Sequence, residues 1–174
     1  VVIQEVIKSN PQFFVSCGSI NNKSMQAKIK KIKKRDYEEV DMLLKVAFED
    51  ESVAQLFKEL VETDEFVHDL TFVARINNSI IGIIVYSQAE IVKGKKSHNI
   101  LSIAPIAVLP NYQHLGIGSE LMQESFDRAR ELEYSNIVVM GHEGYYPRFG
   151  FKPASEYNVT CPFDIDNENF MVKE

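Results

Sequence analysis

Cysteine is scarce in this chain, with only Cys17 and Cys161, which lie far apart and lack metal-ligand spacing. Their number and spacing exclude a disulfide framework and a cysteine-built zinc site; reduced thiols and a cytoplasmic setting are expected. No apolar run reaches the roughly 18 to 20 residues that a membrane helix requires. No charged, apolar, small-residue leader opens the chain either, so a soluble, unexported protein is expected. An excess of positive charge is also missing. The formal net charge of -6 disfavours nucleic acid as the main partner of the whole surface. One segment departs from that balance: Ala27 to Arg35, AKIKKIKKR, is almost entirely basic and isoleucine. It reads either as a solvated edge strand whose lysines oppose aggregation or as a patch that holds phosphate.

What the chain does contain is enough for one ordinary globular domain. Its 174 residues can bury about two thirds or more of the unfolded surface in a single core. Residues 1–24 end in a polar Asn-Asn-Lys-Ser patch before Met25 and read as an extension, or as residues added ahead of a natural start at Met25. They are expected to be dispensable for folding and ligand binding, leaving 25–174 as the domain.

Periodicity places the elements. Lys28 to Lys33 reads as a strand, and Asp36 to Phe48 as a helix with Val40, Leu43, Leu44 and Ala47 at helical spacing. A second helix is expected behind a capping box of Ser52 and Gln55, with a stripe of Val53, Leu56, Phe57, Leu60 and Val61. Leu70 to Ile76 and Ile80 to Val92 form a hairpin across Asn77-Asn78-Ser79, because asparagine tolerates left-handed turn geometry. Lys93 to His98 is the next turn, and Asn99 to Leu109 a fourth strand interrupted by Pro105. Proline cannot donate to a ladder, so it marks an edge or a bulge there. Ile117 to Glu131 is a helix with Ile117, Leu121, Met122, Phe126, Ala129 and Leu132 inward. Asn136 to Met140, a short helix Tyr145 to Phe149, a strand beginning at Phe151 and a last strand Asn169 to Lys173 complete a mixed α/β pattern.

Between the fourth strand and the helix lies Gln113 to Gly118, QHLGIG. Glycines at 116 and 118 let backbone N–H groups approach an anion closely, with the positive end of the helix dipole behind them. A dinucleotide fingerprint would need a third glycine where Leu121 stands, and a P-loop would need a Gly-Lys-Ser/Thr that is absent. About thirty residues on, NIVVMGH runs into EGYYPRFGF. Together, the Gln-x-x-Gly-x-Gly turn and the Tyr-x-Arg-Phe-Gly-Phe segment resemble the GNAT superfamily of N-acetyltransferases, from about Ala27 to the last residue.

That resemblance implies a mostly antiparallel mixed sheet whose fourth and fifth strands splay apart around the pantetheine arm of acetyl coenzyme A, the fourth strand bulging near Pro105. It implies a pyrophosphate cradle at Gln113, His114, Leu115, Gly116, Ile117, Gly118 and Ser119, although Gln113 can equally cap the turn. Ile106, Ala107 and Val108 are the implied pantetheine-binding residues. A backbone N–H freed by the bulge near Ile106 would polarise the thioester carbonyl, a kind of donor worth about 3 kcal/mol of barrier. Tyr146 stands where the family places a tyrosine near the thioester sulfur. Its unperturbed pKa of about 10, against about 8.5 for a thiol, makes full proton donation uphill by roughly 2 kcal/mol, so a hydrogen bond to the sulfur is the other reading.

An amine acceptor with a pKa near 10.4 is neutral in only about one molecule in two thousand at pH 7, so a base or a water chain is expected. His142 and Glu143, at the end of the fifth strand, are the leading candidates; Glu49, Asp50, Glu51 and Glu90 are others, and no metal is expected. The expected function is direct acetyl transfer to a primary amine, on a small molecule or a peptide, with nucleic acid unexpected as a partner and a homodimer left open. The alternatives are a GNAT-fold sensor of acyl-CoA without turnover and an acyltransferase acting on charged tRNA through Lys28 to Arg35. Release of free CoA would exclude the first, and a steep salt dependence would favour the second.

Overall fold

The computed structural model describes residues 27–161, 163 and 165–174; the N-terminal extension lies outside them. The described residues form one seven-stranded sheet of order β1-β2-β3-β4-β5-β7-β6. Its strands are β1 (Lys28–Lys31), β2 (Phe72–Ile76), β3 (Ser79–Lys93), β4 (Lys96–Val108), β5 (Ile137–Met140), β6 (Lys152–Pro153) and β7 (Phe170–Lys173). Every neighbouring pair is antiparallel except β4 and β5. Helices α1 (Tyr37–Phe48) and α2 (Glu51–Leu60) cover one face, and α3 (Ile117–Glu131) covers the other.

The hairpin between β2 and β3 turns on Asn77 and Asn78, both at positive φ (49 and 71), as asparagine at that position leads one to expect. The following turn is tighter than the sequence suggests: Lys93 pairs with Lys96, only Gly94 and Lys95 lie between, and β4 begins at Lys96. The start of α2 also differs from expectation. Asp50, not Ser52, is the cap; its carboxylate accepts the Ser52 N–H at 2.8 Å, while the Gln55 side chain bonds Glu59 along the helix. A carboxylate at this position satisfies an orphan N–H and favours the dipole, so Asp50→Ala is expected to cost about 1 kcal/mol. In a domain of this size that is a fall of about 2 to 4 °C in melting temperature, measurable by calorimetry.

The apolar stripe of α3 lies as its spacing predicts, with Ile117, Leu121, Met122, Phe126 and Ala129 buried against Ile84, Tyr86 and Leu101. One polar link fixes it to the sheet. The Ser125 hydroxyl gives its hydrogen to Met122 O at 2.8 Å, so in the 2.9 Å pair with Tyr86 it is the tyrosine that donates. On the opposite face, Val40, Leu44, Val53 and Phe57 from the two helices pack on Val73, Ile83 and Val85, and Ala154, Tyr157, Val159, Cys161 and Ile165 join a smaller cluster around Val138 and Val172.

Two irregularities of β4 open the sheet. Val85 alone on β3 faces both Ala104 and Pro105, so the extra residue expected from the proline is a bulge on β4. Pairing with β5 covers Leu101, Ser102 and Ile103 and stops there. Past the bulge β4 runs on to Val108 without β5 beside it, and the sheet splits along its parallel pair.

Candidate active site

The split is fronted by the turn that opens α3. Gly116 caps the helix at φ 86, a left-handed conformation that suits glycine, and it offers no side chain to the helix start. The first helical bond runs from Glu120 N–H to Gly116 O at 3.0 Å, so the N–H groups of Ile117, Gly118 and Ser119 precede any intrahelical acceptor. A Cβ built on Gly116 meets nothing within 4 Å, so these donors sit beside open space. His114 also has positive φ, and with Leu115 it forms the exposed crest of the turn. The Ile117 side chain is buried in the core and leaves only its backbone to a ligand; Ser119 is half-buried.

Gln113 has the other of its two expected roles. Its side chain is buried and Nε2 donates to Val108 O at 3.0 Å, bracing the turn to the end of β4. That bond also reports the direction of the β4 backbone. Leu109 N–H donates to Ile81 O at 2.9 Å, and antiparallel alternation from there gives Ala107 the hydrogen-bonded pairing with Ile83. Ile106 and Val108 therefore turn their N–H and C=O groups away from β3 and into the gap, whereas the Ala107 backbone is used by the sheet.

Tyr146 opens the short 3-10 helix Tyr146–Phe149 after β5 and is 7% exposed. Its ring packs edge-on against Phe151 at 5.7 Å and lies where a Cβ on Gly141 would stand. Burial, with lesser contributions from Tyr145 and Tyr86, pushes its hydroxyl well above the ordinary tyrosine value. The hydroxyl has no hydrogen-bond partner among the described residues. Such a group stays protonated at any physiological pH and is a donor waiting for an acceptor.

The candidate bases lie elsewhere. His142 is exposed, and its Nδ1 accepts the Gly144 N–H at 2.9 Å, which leaves the other ring nitrogen as the one able to carry a proton. Glu143 is exposed and lies beside Glu168, whose carboxyl is held above its usual value by a hydrogen bond to Glu143 and by the repulsion of its charge. Asp50 is committed to the α2 cap, Glu49 ends α1 at positive φ, and Glu90 sits on the exposed outer part of β3. None of these side chains is brought against Tyr146 by a hydrogen bond or ion pair.

Two features escape the sequence reading. Ser87 is wholly buried with no partner for its Oγ among the described residues, directly across the ladder from Ser102. Nothing in its neighbourhood along the chain announces that position. Tyr145, placed by the sequence at the start of a short helix, reaches across to the first turn of α3.

A mixed sheet opened along its one parallel pair, with an uncapped helix start at the opening, is the architecture shared with solved GNAT structures. Residues 28–151 match the model of the acetyltransferase (GNAT) family, and the chain belongs to that family. It is 32% identical over 118 residues to YjhQ of Escherichia coli K12, an uncharacterised N-acetyltransferase, a match covering 67% of this chain and 65% of that protein. The chain thus spans about two thirds of that relative's length. YhbS of Escherichia coli, solved in complex with CoA, has 28% identity and a TM-score of 0.79, covering 89% of this chain and 84% of that one. A Brucella melitensis GNAT acetyltransferase solved with acetyl-CoA shares the fold at 23% identity and a TM-score of 0.67, covering 86% of this chain and 88% of its own.

Proposed function

We propose that this protein transfers the acetyl group of acetyl-CoA to a primary amine by direct attack, without a covalent enzyme intermediate. The observation that carries the reading is the uncapped start of α3: the N–H groups of Ile117, Gly118 and Ser119 precede the first intrahelical bond, and a Cβ on the adjoining Gly116 meets nothing within 4 Å. A pyrophosphate fits them by charge and by hydrogen bonding. His114, Leu115 and Gly116 shape the cradle, Ser119 adds a hydroxyl, and Gln113 supports it from below through Val108.

From the cradle the pantetheine arm follows the free edge of β4, where Ile106 and Val108 present amide groups of matching spacing. The Ile106 N–H, next to the bulge, is the donor for the thioester oxygen as it gains charge. The amine nitrogen attacks the carbonyl carbon, the carbon–sulfur bond breaks, and the sulfur takes a hydrogen bond or a proton from the Tyr146 hydroxyl. Its raised pKa favours the hydrogen bond over complete transfer. Glu143 receives the proton of the amine, directly or through water, or His142 does so at Nδ1 by giving up its bond from the Gly144 N–H.

The test is isothermal calorimetry with CoA followed by a thiol-release assay against polyamines, amino acids, aminoglycosides and peptides. Micromolar CoA binding together with amine-dependent release of free CoA is the expected result. Absence of CoA binding removes the reading. Binding without release for any amine in the panel leaves a sensor in its place.

A further inference from the structure

Tyr145 has no part in the transfer just described, yet its side chain reaches from one half of the split to the other. It belongs to the segment after β5, while its hydroxyl lies at the first turn of α3: a Cβ built on Gly118 would meet that oxygen at 2.6 Å and Val108 Cγ2 at 3.9 Å. Gly118 is therefore glycine for a second reason besides access for a ligand. It leaves the space that the tyrosine oxygen fills.

The ring is fixed from three sides. It packs edge-on against Tyr146 at 5.1 Å and tilted against Phe149 at 5.3 Å, and the Arg148 guanidinium sits 3.9 Å from its centroid. A phenylalanine would make the same ring contacts. What tyrosine adds is a polar atom without a hydrogen-bond partner among the described residues, beside a helix start whose N–H groups are also uncapped. A hydroxyl and backbone donors so placed are suited to an anionic oxygen.

We propose that Tyr145 is a further cofactor-binding residue, whose hydroxyl donates to a phosphate oxygen of the pyrophosphate held at the α3 start. This rests on the acetyl-CoA reading above. A hydrogen bond to an ionised oxygen is about twice as strong as a neutral one. The Arg148 cation over the ring holds it in place and adds to the local attraction for an anion. The two motifs thus meet: the glycine turn supplies backbone donors, and the tyrosine segment supplies a side-chain donor from across the gap.

The experiment measures the affinity of wild type and Tyr145→Phe for CoA, for dephospho-CoA and, by competition, for pantetheine. Losing one hydrogen bond to a charged group is expected to weaken CoA and dephospho-CoA about 10-fold or more and to leave pantetheine unchanged. Equal CoA affinity for the two proteins overturns the proposal, as does an equal loss with pantetheine, which would assign the tyrosine to packing or to the arm. If wild type binds no CoA, the acetyltransferase reading itself fails and takes this one with it; a wild type that binds CoA beside an unaffected variant overturns only the role of Tyr145.

The contact is tested without any ligand. Gly118→Ala is expected to lower the melting temperature more in the wild-type background than in the Tyr145→Phe background, because removing the oxygen relieves the close approach. Equal destabilisation in both backgrounds, loss of folding in both included, removes the contact on which the proposal stands.

Discussion

Tyr146→Phe is expected to lower the maximal rate of acetyl transfer by about 10 to 1,000-fold while CoA affinity stays close to that of wild type. The substitution keeps the ring, and with it the edge-on contacts to Tyr145 and Phe151, so stability and the neighbouring loop should change little. What it removes is a hydroxyl without a hydrogen-bond partner among the described residues. In the resting enzyme that hydroxyl bonds nothing among the described residues, so its deletion costs little ground-state structure. Its value arises only when negative charge gathers on the departing sulfur, which is why the loss belongs in the rate and not in binding. The raised pKa adds a second expectation. A group held above the ordinary tyrosine value is protonated across the whole accessible range, so the rate of wild type should rise with pH as the amine is deprotonated and show no alkaline fall attributable to Tyr146. The check is a steady-state comparison of both proteins at saturating acceptor, with a pre-steady-state measurement to establish that chemistry limits turnover. Equal rates would leave water as the source of the proton.

The parts of this site that were legible in the sequence are those governed by local backbone chemistry. Gly116 and Gly118 stand out because a positive φ and a missing Cβ are demands that few other residues meet. Pro105 announces a bulge because proline lacks the N–H a ladder requires. Asn77 and Asn78 fix a hairpin for a similar reason. What could not be read is whatever depends on residues far apart meeting in space. Gln113 carries an amide equally suited to a phosphate or to a carbonyl, and only the position of the Val108 carbonyl assigns it. Ala107 differs from Ile106 and Val108 through the phase of the ladder set by Leu109 and Ile81, a one-residue distinction invisible in an apolar run. Asp50 outcompetes Ser52 for the α2 cap because α1 ends at Glu49 in a left-handed conformation and the chain re-enters a helix two residues earlier than the capping box implies. Tyr145 and Gly118 are the extreme case: the contact spans β5 and the entire length of α3.

Gly116→Val is expected to weaken CoA binding about 100-fold or more while leaving a folded, less stable protein. Two effects act at this position and they have different readouts. The first is conformational: φ is 86, and a β-branched residue in the left-handed region costs on the order of 1 to 3 kcal/mol, seen as a lower melting temperature. The second is steric and falls on the ligand. Nothing in the protein lies within 4 Å of a Cβ at Gly116, so the added side chain projects into the open space beside the Ile117, Gly118 and Ser119 N–H groups. A pyrophosphate displaced from two of those donors forfeits about 1.5 to 3 kcal/mol for each, enough for the expected loss. Pantetheine, which carries no phosphate, separates the two effects. Its binding should fall little if the damage is confined to the cradle, and should fall in parallel with CoA if the whole turn has collapsed. Wild-type affinity for CoA in a folded Gly116→Val protein would show that the phosphates lie elsewhere, and the start of α3 would then be an ordinary helix terminus open to water.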